Sequence, residues 1–349
     1  MNHTDPRCAV ESFDDAQVQS LRVFTILTAL LSVAGSGFIV LTYFLPQPQK
    51  SISLKIIMSL SVADLCASLV FVIDGSADAA DMDHCGGPES ALCTLCAAAA
   101  QFFGLATILW TGMIAVSLHL SVLRRSPLAT HDPAKLYRFM SYGVWGASAF
   151  ALLIAGSAGA LGPSGQWCWI RQQHWWAGLV FYYLPLIFVG VYSAVVYVKT
   201  LSGLVQLHRE ATANAAQLGQ KMSQAAGAVP GLTARLRSFL IVYCTIHAAQ
   251  IANRMQDLLS PYNPVFVLYL LQSLLSPMQG VGNAIAYGWS PRVRRLWAAA
   301  YPKSCACALA TDERADSESS GPARPGVTEV MPTGGLCEDS LNVEVADTR

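Results

Sequence analysis

The sequence predicts an all-α membrane protein: a seven-transmembrane-helix bundle with its N-terminus outside and an amphipathic eighth helix. Two observations lead to this prediction. Seven long segments are almost free of charged residues, and nearly all lysines and arginines fall on one side of them. The composition agrees, because charged residues make up only 13% of the chain and its mean hydropathy is +0.42. The spans must be helical, since backbone groups in lipid have to be hydrogen-bonded within their own segment.

The seven segments are defined by the gaps between charged residues. A hydrophobic segment of roughly 20 residues crosses the bilayer core. A soluble domain would instead place a charged residue every few positions on its solvent-exposed face. Asp64 is the one charged residue within these gaps. The sixth gap is short and reaches membrane length only if Arg237 and Arg254 both extend to the interfaces. In chain order the gaps are residues 23–49, 56–73, 90–123, 139–170, 172–198, 238–253 and 258–291.

The basic residues predict the orientation. With the N-terminus outside, eighteen of the 22 lysines and arginines lie on the cytoplasmic side. Cytoplasmic loops are rich in Lys and Arg, so the opposite orientation is disfavoured, and we expect a multi-pass membrane protein. Asn2, in the sequence Asn-His-Thr, is then a candidate extracellular glycosylation site, although so short a motif also occurs by chance.

Four segments are expected along the chain. Residues 1–20 are an extracellular N-terminal tail, residues 21–290 the seven-transmembrane-helix domain, residues 291–301 an amphipathic helix, and residues 302–349 a disordered cytoplasmic tail. Proline at the first helical position, a basic face and an apolar face predict that the amphipathic helix lies at the membrane surface. Cys305 and Cys307 follow it directly, a placement suited to palmitoylation.

The third inner loop is the longest, at about residues 202–235. Residues 204–224 suit helical extensions of the flanking spans into the cytosol. Gly227, Pro230 and Gly231 predict a break after them.

Five of the ten cysteines lie at or near the oxidising outer face. The strongest pairing candidate joins Cys93, at the start of the third helix, to Cys168 in the second outer loop. Cys96 competes with Cys93 for that bond, and Cys8 with Cys85 is a further possible pair, because spacing alone does not settle connectivity. The Cys-x-x-Cys spacing at 93–96 has no matching His/Cys cluster, so we expect neither a metal nor a cofactor.

Polar residues inside the spans suggest a conformational switch. Asp64 is the one carboxylate within a predicted span, and an intramembrane charge is a functional candidate by default. Its expected partner is Asn283 on the seventh helix, in a polar hub that repacks on activation; a protonated Asp64 that serves packing alone is the alternative. Pro277 removes one backbone hydrogen bond and predicts a bend. Tyr287, farther along the same helix, completes the predicted switch.

A ligand site is expected at the outer mouth of the bundle. Arg254 lies 17 residues beyond Arg237, or roughly 25 Å along a helix. Arginines bind phosphate or carboxylate in a fork, which favours an anionic ligand, although Arg254 could instead extend to lipid headgroups. The expected ligand-binding residues are Arg254, Arg171, His247, Gln250, Asn253, Gln272 and Ser276.

The charge of the ligand stays open. Five acidic residues are expected in the first outer loop, where they would repel an anion and attract a cation. They are Asp74, Asp78, Asp81, Asp83 and Glu89.

Three motifs resemble one known family. Residues 167–170 read Trp-Cys-Trp-Ile, residues 275–288 begin Leu-Ser-Pro-Met-Gln-Gly, and residues 251–256 read Ile-Ala-Asn-Arg-Met-Gln. They look like the WCWI, LSPLQGxxNxxxYG and INRIQ motifs of the cyclic-AMP-receptor-like family, which includes the slime-mould chemoattractant receptors. Residues 60–65 and 109–111 fit its second and third helices, and the resemblance runs from about residue 20 to 301. The spacing from Cys93 to Trp110 also favours Cys93 over Cys96 as the bridging cysteine.

The resemblance implies a G-protein-coupled receptor that senses an extracellular ligand, cyclic AMP or another small molecule, and activates heterotrimeric G proteins. Basic residues at the inner helix ends would contact the G protein, while the tail is a candidate segment for an arrestin or a kinase. The chain departs from the rhodopsin class in having no Asp-Arg-Tyr after the third helix. The expected G-protein contacts are Arg124, Arg125, Arg235 and Arg237.

Other classes fit the sequence less well. No catalytic motif appears, so we expect no enzyme, and no feature points to nucleic acid. A retinal-based light pump needs a lysine in the seventh helix, and residues 258–291 contain none. A transporter should show repeated halves, which are not evident. The most serious alternative is a seven-helix receptor that signals through scaffolds bound to its tail without G proteins.

Overall fold

A computed structural model describes residues 13–46, 51–77, 90–120, 132–164, 166–214, 221–260, 263–288 and 291–300. Side chains are not described for residues 204–237 or 239, nor for a few residues around the start of the last helix. The described residues all belong to one compact unit, Met1–Ala300.

The described residues form eight helices, with a two-stranded hairpin between the fourth and fifth. The first four are α1 (Asp15–Phe44), α2 (Ile52–Ser76), α3 (Ala91–Leu118) and α4 (Pro133–Ser157). Helix α5 comprises Trp175–Gly178, a π-helical turn at Leu179–Tyr183, and Leu184–Asn214. Helix α6 is Lys221–Leu259, α7 comprises Phe266–Leu275, a 3-10 turn at Ser276–Met278 and Gln279–Gly288, and α8 is Pro291–Ala300.

Among these helices, five are long and apolar enough to cross a membrane by length and composition: α1 to α4, and the run Gln172–Gly203 that includes most of α5. Helix α7 falls short because its turn divides it into stretches of ten residues. Both α6 and α7 nevertheless pack within the bundle, α7 against α1 and α6 against α5 and α7. The apolar character of α6 is interrupted by His247, Gln250, Asn253 and Arg254.

Helices α1 and α4 begin at acidic capping residues. Asp14 accepts a hydrogen bond from the backbone N–H of Gln17 (2.7 Å), and the Gln17 side chain accepts one from the Asp14 N–H (3.1 Å). This capping box starts α1 at Asp15, before the predicted domain boundary at residue 21. Asp132 caps α4 by accepting from Lys135 N (2.9 Å), with Pro133 at the first helical position.

Helices α2 and α6 continue past the charged residues that were expected to end their spans on the outer side. Helix α2 continues to Ser76 and α6 to Leu259, so Asp74 and Asp257 both lie within helices. The expectations that Asp74 belongs to the first outer loop and that Asp64 is the one carboxylate within a span are therefore wrong. Helix α6 also begins at Lys221 and runs through residues 227–231, so the expected break there is wrong as well.

A 3-10 turn interrupts helix α7 at Pro277, and its neighbour α1 compensates for the lost hydrogen bond. Proline has no N–H, which leaves the carbonyl of Ser273 without its helical partner. Thr28 on α1 donates to that carbonyl (3.2 Å). One turn farther on, the N–H of Gly280 donates to Ser32 Oγ (2.9 Å). Small polar side chains of α1 thus stabilise the distorted backbone of α7.

The hairpin lies between α4 and α5. Strands β1 (Leu161–Ser164) and β2 (Trp167–Ile170) pair antiparallel, with Pro163 opposite Cys168. Arg171 donates through Nε to the Leu161 carbonyl (2.9 Å). Gly162 has a φ of 153°, and a Cβ there would lie 2.5 Å from that Nε, so only glycine allows this contact.

A disulfide joins Cys93 of α3 to Cys168 of the hairpin, with a Cα–Cα distance of 5.3 Å. The predicted pairing is confirmed, and Cys96 is a free, buried thiol. Cys8 and Cys85 lie outside the described residues.

Helix α8 is held against α1 by its tryptophan. Trp297 donates through Nε1 to Thr42 Oγ1 (2.9 Å) and stacks on Phe38 with ring centroids 5.3 Å apart. The aromatic residue thus anchors the apolar face of the predicted eighth helix to the bundle.

Gly280 should be indispensable for the contact between α1 and α7. A Cβ at this position would collide with Ser36 Oγ, lie 2.5 Å from Ser32 Oγ and 2.8 Å from the Ser32 carbonyl. We expect Gly280→Ala to lower the free energy of unfolding by about 1–3 kcal/mol, the usual cost of overpacking. Thermal unfolding of the purified protein measures this. Gly143→Ala, where nothing lies within 4 Å of the added carbon, is the control; equal melting temperatures for the two variants would contradict the prediction.

Candidate ligand cavity

The hairpin is fastened to the outer ends of several helices. Trp169 donates through Nε1 to Gln101 Oε1 on α3 (2.9 Å), and the N–H of Cys168 donates to Asp74 on α2 (3.3 Å). Gln166 donates to Ser273 Oγ on α7 (3.1 Å). Together with the disulfide, these contacts hold the hairpin across the outer end of the bundle, which it covers.

Arg254 links the hairpin to α6. Its guanidinium lies 5.5 Å from the ring centroid of Trp167 and 5.4 Å from that of Trp169. It also pairs with Asp257 at 3.2 Å, and Tyr269 on α7 donates to the same carboxylate (3.0 Å). The Arg254 and Asp257 side chains are only 12% and 7% exposed. The alternative that Arg254 extends to lipid headgroups is therefore wrong.

A cavity of about 100 Å³ lies beneath the hairpin. Trp167 and Trp169 line its outer end, and aromatic residues of α5, Tyr182 and Tyr183, line its side. Five of the seven predicted ligand-binding residues line the same cavity: Arg254, His247, Gln250, Gln272 and Ser276.

Three of these residues, His247, Gln250 and Ser276, form one hydrogen-bonded chain with Tyr182 across α5, α6 and α7. His247 Nδ1 lies 2.6 Å from Gln250 Oε1, to which Tyr182 also donates (3.2 Å). Gln250 in turn donates through Nε2 to Ser276 Oγ. The side chains are thus already ordered, so a ligand would meet a preorganised polar surface.

The other two predicted ligand residues do not line this cavity. Asn253 is fully buried and donates to Gln272 Oε1 (2.7 Å), so it positions a lining residue. Arg171 lies on a separate groove between α5 and α6.

Three lining residues carry buried polar atoms without a hydrogen-bond partner among the described residues. They are Asp74 Oδ1, His247 Nε2 and Arg254 Nε. Buried polar atoms are normally satisfied, so these atoms are positioned to accept or donate hydrogen bonds to a ligand or to water.

The predicted polar hub forms the floor of the cavity. Asp64 accepts from Asn283 Nδ2 on α7 (2.7 Å) and from Thr107 Oγ1 on α3 (2.9 Å). Asp64, Thr107 and Pro277 all line the cavity. Tyr287, the remaining predicted switch residue, is buried in the apolar cluster near the inner ends of α1 to α4.

At the inner side, described side chains of α3, α5 and α6 pack around a cavity of only about 30 Å³. His119, directly after α3, has its Nδ1 3.0 Å from the Tyr192 hydroxyl of α5, and its ring stacks on that of Tyr192. The predicted G-protein contacts, glycosylation site and palmitoylation sites lie outside the described residues or side chains: Arg124, Arg125, Arg235, Arg237, Asn2, Cys305 and Cys307.

Sequence reasoning missed both acidic partners at the outer end, Asp74 and Asp257. A signal for the second was present, because Asp257 follows Arg254 by three residues and such pairs face each other on a helix. The roles of Trp167 and Trp169 as a cage for Arg254 were not visible in the sequence, since they depend on the fold of the hairpin.

The sequence profile described as "Slime mold cyclic AMP receptor" matches residues 14–302. The chain belongs to this family of G-protein-coupled receptors. It is 26% identical over 277 residues to cyclic AMP receptor-like protein A of Dictyostelium discoideum, covering 79% of this chain and 66% of that protein. It is also 26% identical to G-protein coupled receptor 1 of Arabidopsis thaliana, covering 78% of this chain and 80% of the relative.

Solved structures agree on the fold. Squid rhodopsin superposes with a TM-score of 0.66 at 16% sequence identity, covering 89% of this chain and 94% of that one. The predicted seven-helix architecture is confirmed, and the chain is a multi-pass membrane receptor of a family whose members are not enzymes.

The effects of Arg254 and Asp257 on the free energy of unfolding should not be additive. Removing one member of a buried ion pair leaves the other charge uncompensated, which costs about 3–5 kcal/mol. We expect Arg254→Gln and Asp257→Asn each to lower the free energy of unfolding by about that amount. The double variant should lose about 1–3 kcal/mol less than the sum of the two.

Chemical unfolding monitored by tryptophan fluorescence measures this cycle. Met255→Ala, at a half-exposed neighbouring residue, is the control and should change little. Strictly additive losses would show that the two side chains do not interact.

Proposed function

We propose that this protein is a plasma-membrane receptor that binds an extracellular small molecule beneath the hairpin and activates heterotrimeric G proteins. One observation carries this proposal. A single cavity is bounded at its outer end by Trp167 and Arg254 and at its inner end by Asp64 and Pro277. A ligand there would contact both the extracellular cover and the hub that joins α2, α3 and α7.

The size of the cavity supports a two-state mechanism. At about 100 Å³ it is smaller than the roughly 300–1,000 Å³ of most small-molecule sites. A ligand must therefore enlarge it by moving the hairpin, α6 or α7. Since a ligand shifts an equilibrium only by binding one state better than the other, an enlarged cavity is the state that it would favour.

Cyclic AMP is the first ligand to test. A relative carries the name cyclic AMP receptor-like protein A, and the lining offers partners for both ends of a nucleotide. Trp167, Trp169 and Tyr182 present aromatic surface on which a base can stack. Arg254 would bind the phosphate by exchanging its bond to Asp257 for a fork to the ligand.

Activation would open the cytoplasmic ends of the helices. Outward movement of α6 would separate it from α3 and α5, where the described side chains now leave about 30 Å³. The basic residues Arg124, Arg125, Arg235 and Arg237 would then contact the C-terminal helix of a Gα subunit. Residues 302–349 would serve as the binding segment for an arrestin or a kinase.

Guanine-nucleotide exchange tests this function directly. The receptor in lipid nanodiscs is mixed with heterotrimeric G proteins, with and without cyclic AMP. Stimulated exchange would support both the coupling and the ligand. Basal exchange that cyclic AMP leaves unchanged would overturn the ligand but keep the coupling, and no exchange by a folded sample with any Gα class would overturn the coupling.

Deleting residues 308–349 separates this function from scaffold signalling. A receptor that couples through its helices should still promote exchange without the tail. Loss of all signalling on deletion would instead favour the tail-scaffold receptor.

The hub at Asp64 should control basal activity. In Asp64→Asn one of the two accepting oxygens becomes an amide group, so the side chain can no longer accept from Asn283 and Thr107 through two separate oxygens. We expect basal nucleotide exchange to change about tenfold, as for the loss of one charge-assisted hydrogen bond. The control is Ser61→Ala, because Ser61 is buried one turn away and its hydroxyl has no partner among the described residues. Wild-type exchange in the Asp64 variant would assign that residue a packing role.

A further inference from the structure

The cavity beneath the hairpin contains two hydrogen-bond acceptors that no described residue satisfies. Asp74 Oδ1 on α2 and His247 Nε2 on α6 are both buried and without a partner, and both residues line the cavity. Because buried polar atoms are normally satisfied, an occupant that donates at least two hydrogen bonds is complementary to this pair.

The hydrogen bonds of His247 determine which of its nitrogens carries the proton. Nδ1 lies 2.6 Å from Gln250 Oε1, and an amide oxygen only accepts, so the proton is on Nδ1. Tyr182 donates to the same oxygen, which agrees with its role as an acceptor. Nε2 of the neutral ring therefore presents a lone pair, and His247 is only 4% exposed.

Asp74 is a carboxylate without a close counter-charge among the described residues. Its other oxygen accepts from the neutral backbone N–H of Cys168 (3.3 Å). Arg22 on α1 acts on Asp74 through electrostatics, but the two side chains form no ion pair in the described part of the chain, and Arg22 does not line the cavity. Burying a charge without a partner is costly, so a cation at Asp74 Oδ1 would be stabilised.

The lining as a whole also favours a cation. Its charged residues, among those described, are Asp64, Asp74 and Arg254. Arg254 is paired at 3.2 Å with Asp257, which does not line the cavity. Both lining carboxylates therefore lack an unpaired basic residue in the same lining.

The size and the walls of the space suit a small organic cation. Its volume of about 100 Å³ corresponds to roughly three water molecules at about 30 Å³ each. Phe71 lies one turn before Asp74 on α2 and, with Ala67 and Ala100, gives the lining an apolar surface. A primary ammonium group supplies three N–H donors and one positive charge, and a short alkyl chain would cover the apolar surface.

We propose that the cavity at this volume binds a small primary ammonium ion, with its nitrogen at Asp74 and His247 and its alkyl chain against Phe71. Because Asp74 is on α2 and His247 is on α6, the ion would join these two helices. It would thus stabilise the closed cavity, which a larger ligand has to enlarge. The binding site stands on the geometry of the cavity, whereas the effect of the ion on signalling rests on the proposed function.

Saturation-transfer NMR with ethylammonium tests the site. The full-length receptor in nanodiscs of zwitterionic phospholipid is titrated with ethylammonium chloride at constant ionic strength, and empty nanodiscs give the background. We expect saturable binding of ethylammonium. Ethanol, which has the same number of non-hydrogen atoms and no charge, should bind about tenfold more weakly, the loss expected for a missing charge-assisted hydrogen bond. No saturable binding of ethylammonium, or equal binding of ethanol, would overturn the proposal, because water or any small solute would then fill the cavity.

A matched pair of variants tests the role of Asp74. Asp74→Asn keeps an oxygen that can accept from the Cys168 N–H but removes the charge, so it should weaken ethylammonium binding about tenfold. Asp15→Asn makes the same change at an exposed residue in the first turn of α1 and should leave binding unchanged. Equal binding by these two variants would overturn the assignment of Asp74.

A second pair of variants decides the question if Asp74→Asn does not fold. Ala100 lines the cavity and its neighbour Ala99 does not, although both are partly buried residues of α3. Ala100→Leu should fill the space and abolish binding, while Ala99→Leu should preserve it. Equal binding by the two leucine variants would place the ion outside the cavity and overturn the proposal.

The effect on the closed state is measured separately. Ethylammonium should raise the melting temperature of the wild-type receptor more than that of Asp74→Asn, and it should lower basal nucleotide exchange. Binding that changes neither quantity would overturn the stabilising role. Absence of exchange in every sample would count against G-protein coupling, whereas the melting temperature would still decide whether the ion stabilises the closed cavity.

Discussion

The outer half of this receptor depends on the placement of one guanidinium. Arg254 lies between two tryptophans of the hairpin and pairs with Asp257 on its own helix, and Asp257 also accepts a hydrogen bond from Tyr269 on α7. An arginine so deeply buried is stable only where its charge is compensated. Because these contacts join α6, α7 and the hairpin, α6 cannot move far without breaking them.

The cavity connects this contact to the hub at Asp64. Hydrogen bonds from Asn283 and Thr107 hold α7 and α3 to α2 at the inner end of the same space. Between the two ends, a 3-10 turn interrupts α7 at Pro277, and the carbonyl of Ser273 that Pro277 leaves without a helical partner accepts from Thr28. Helix α7, interrupted at Pro277 and bonded to its neighbours at both ends, can serve as a two-state element. A ligand that displaces the contacts at one end of the helix would weaken the contacts at the other end.

Two contacts of the structure could be predicted from the sequence. The Cys93–Cys168 bridge was predicted because both cysteines lie at the oxidising outer face and the family resemblance favours Cys93 over Cys96. The Asp64–Asn283 bond was predicted because both are polar residues inside apolar spans. Asp257 was missed because each span was ended at a charged residue, whereas a carboxylate three residues after Arg254 neutralises it and lets α6 continue. Asp74 was missed for a related reason, since its partner is a backbone N–H of the hairpin, which no sequence pattern reveals.

The most direct test of this account is the distance, with and without Arg254, between the inner end of α4 and the start of the apolar segment of α6 at residue 238. Spin labels at positions 135 and 238, in a protein retaining only the Cys93 and Cys168 cysteines, report it by electron–electron double resonance. The account predicts that Arg254→Gln, which releases α6 from the hairpin, shifts the distribution toward longer distances without any ligand. An unchanged distribution in a folded variant would contradict it, because α6 would then be held independently of Arg254.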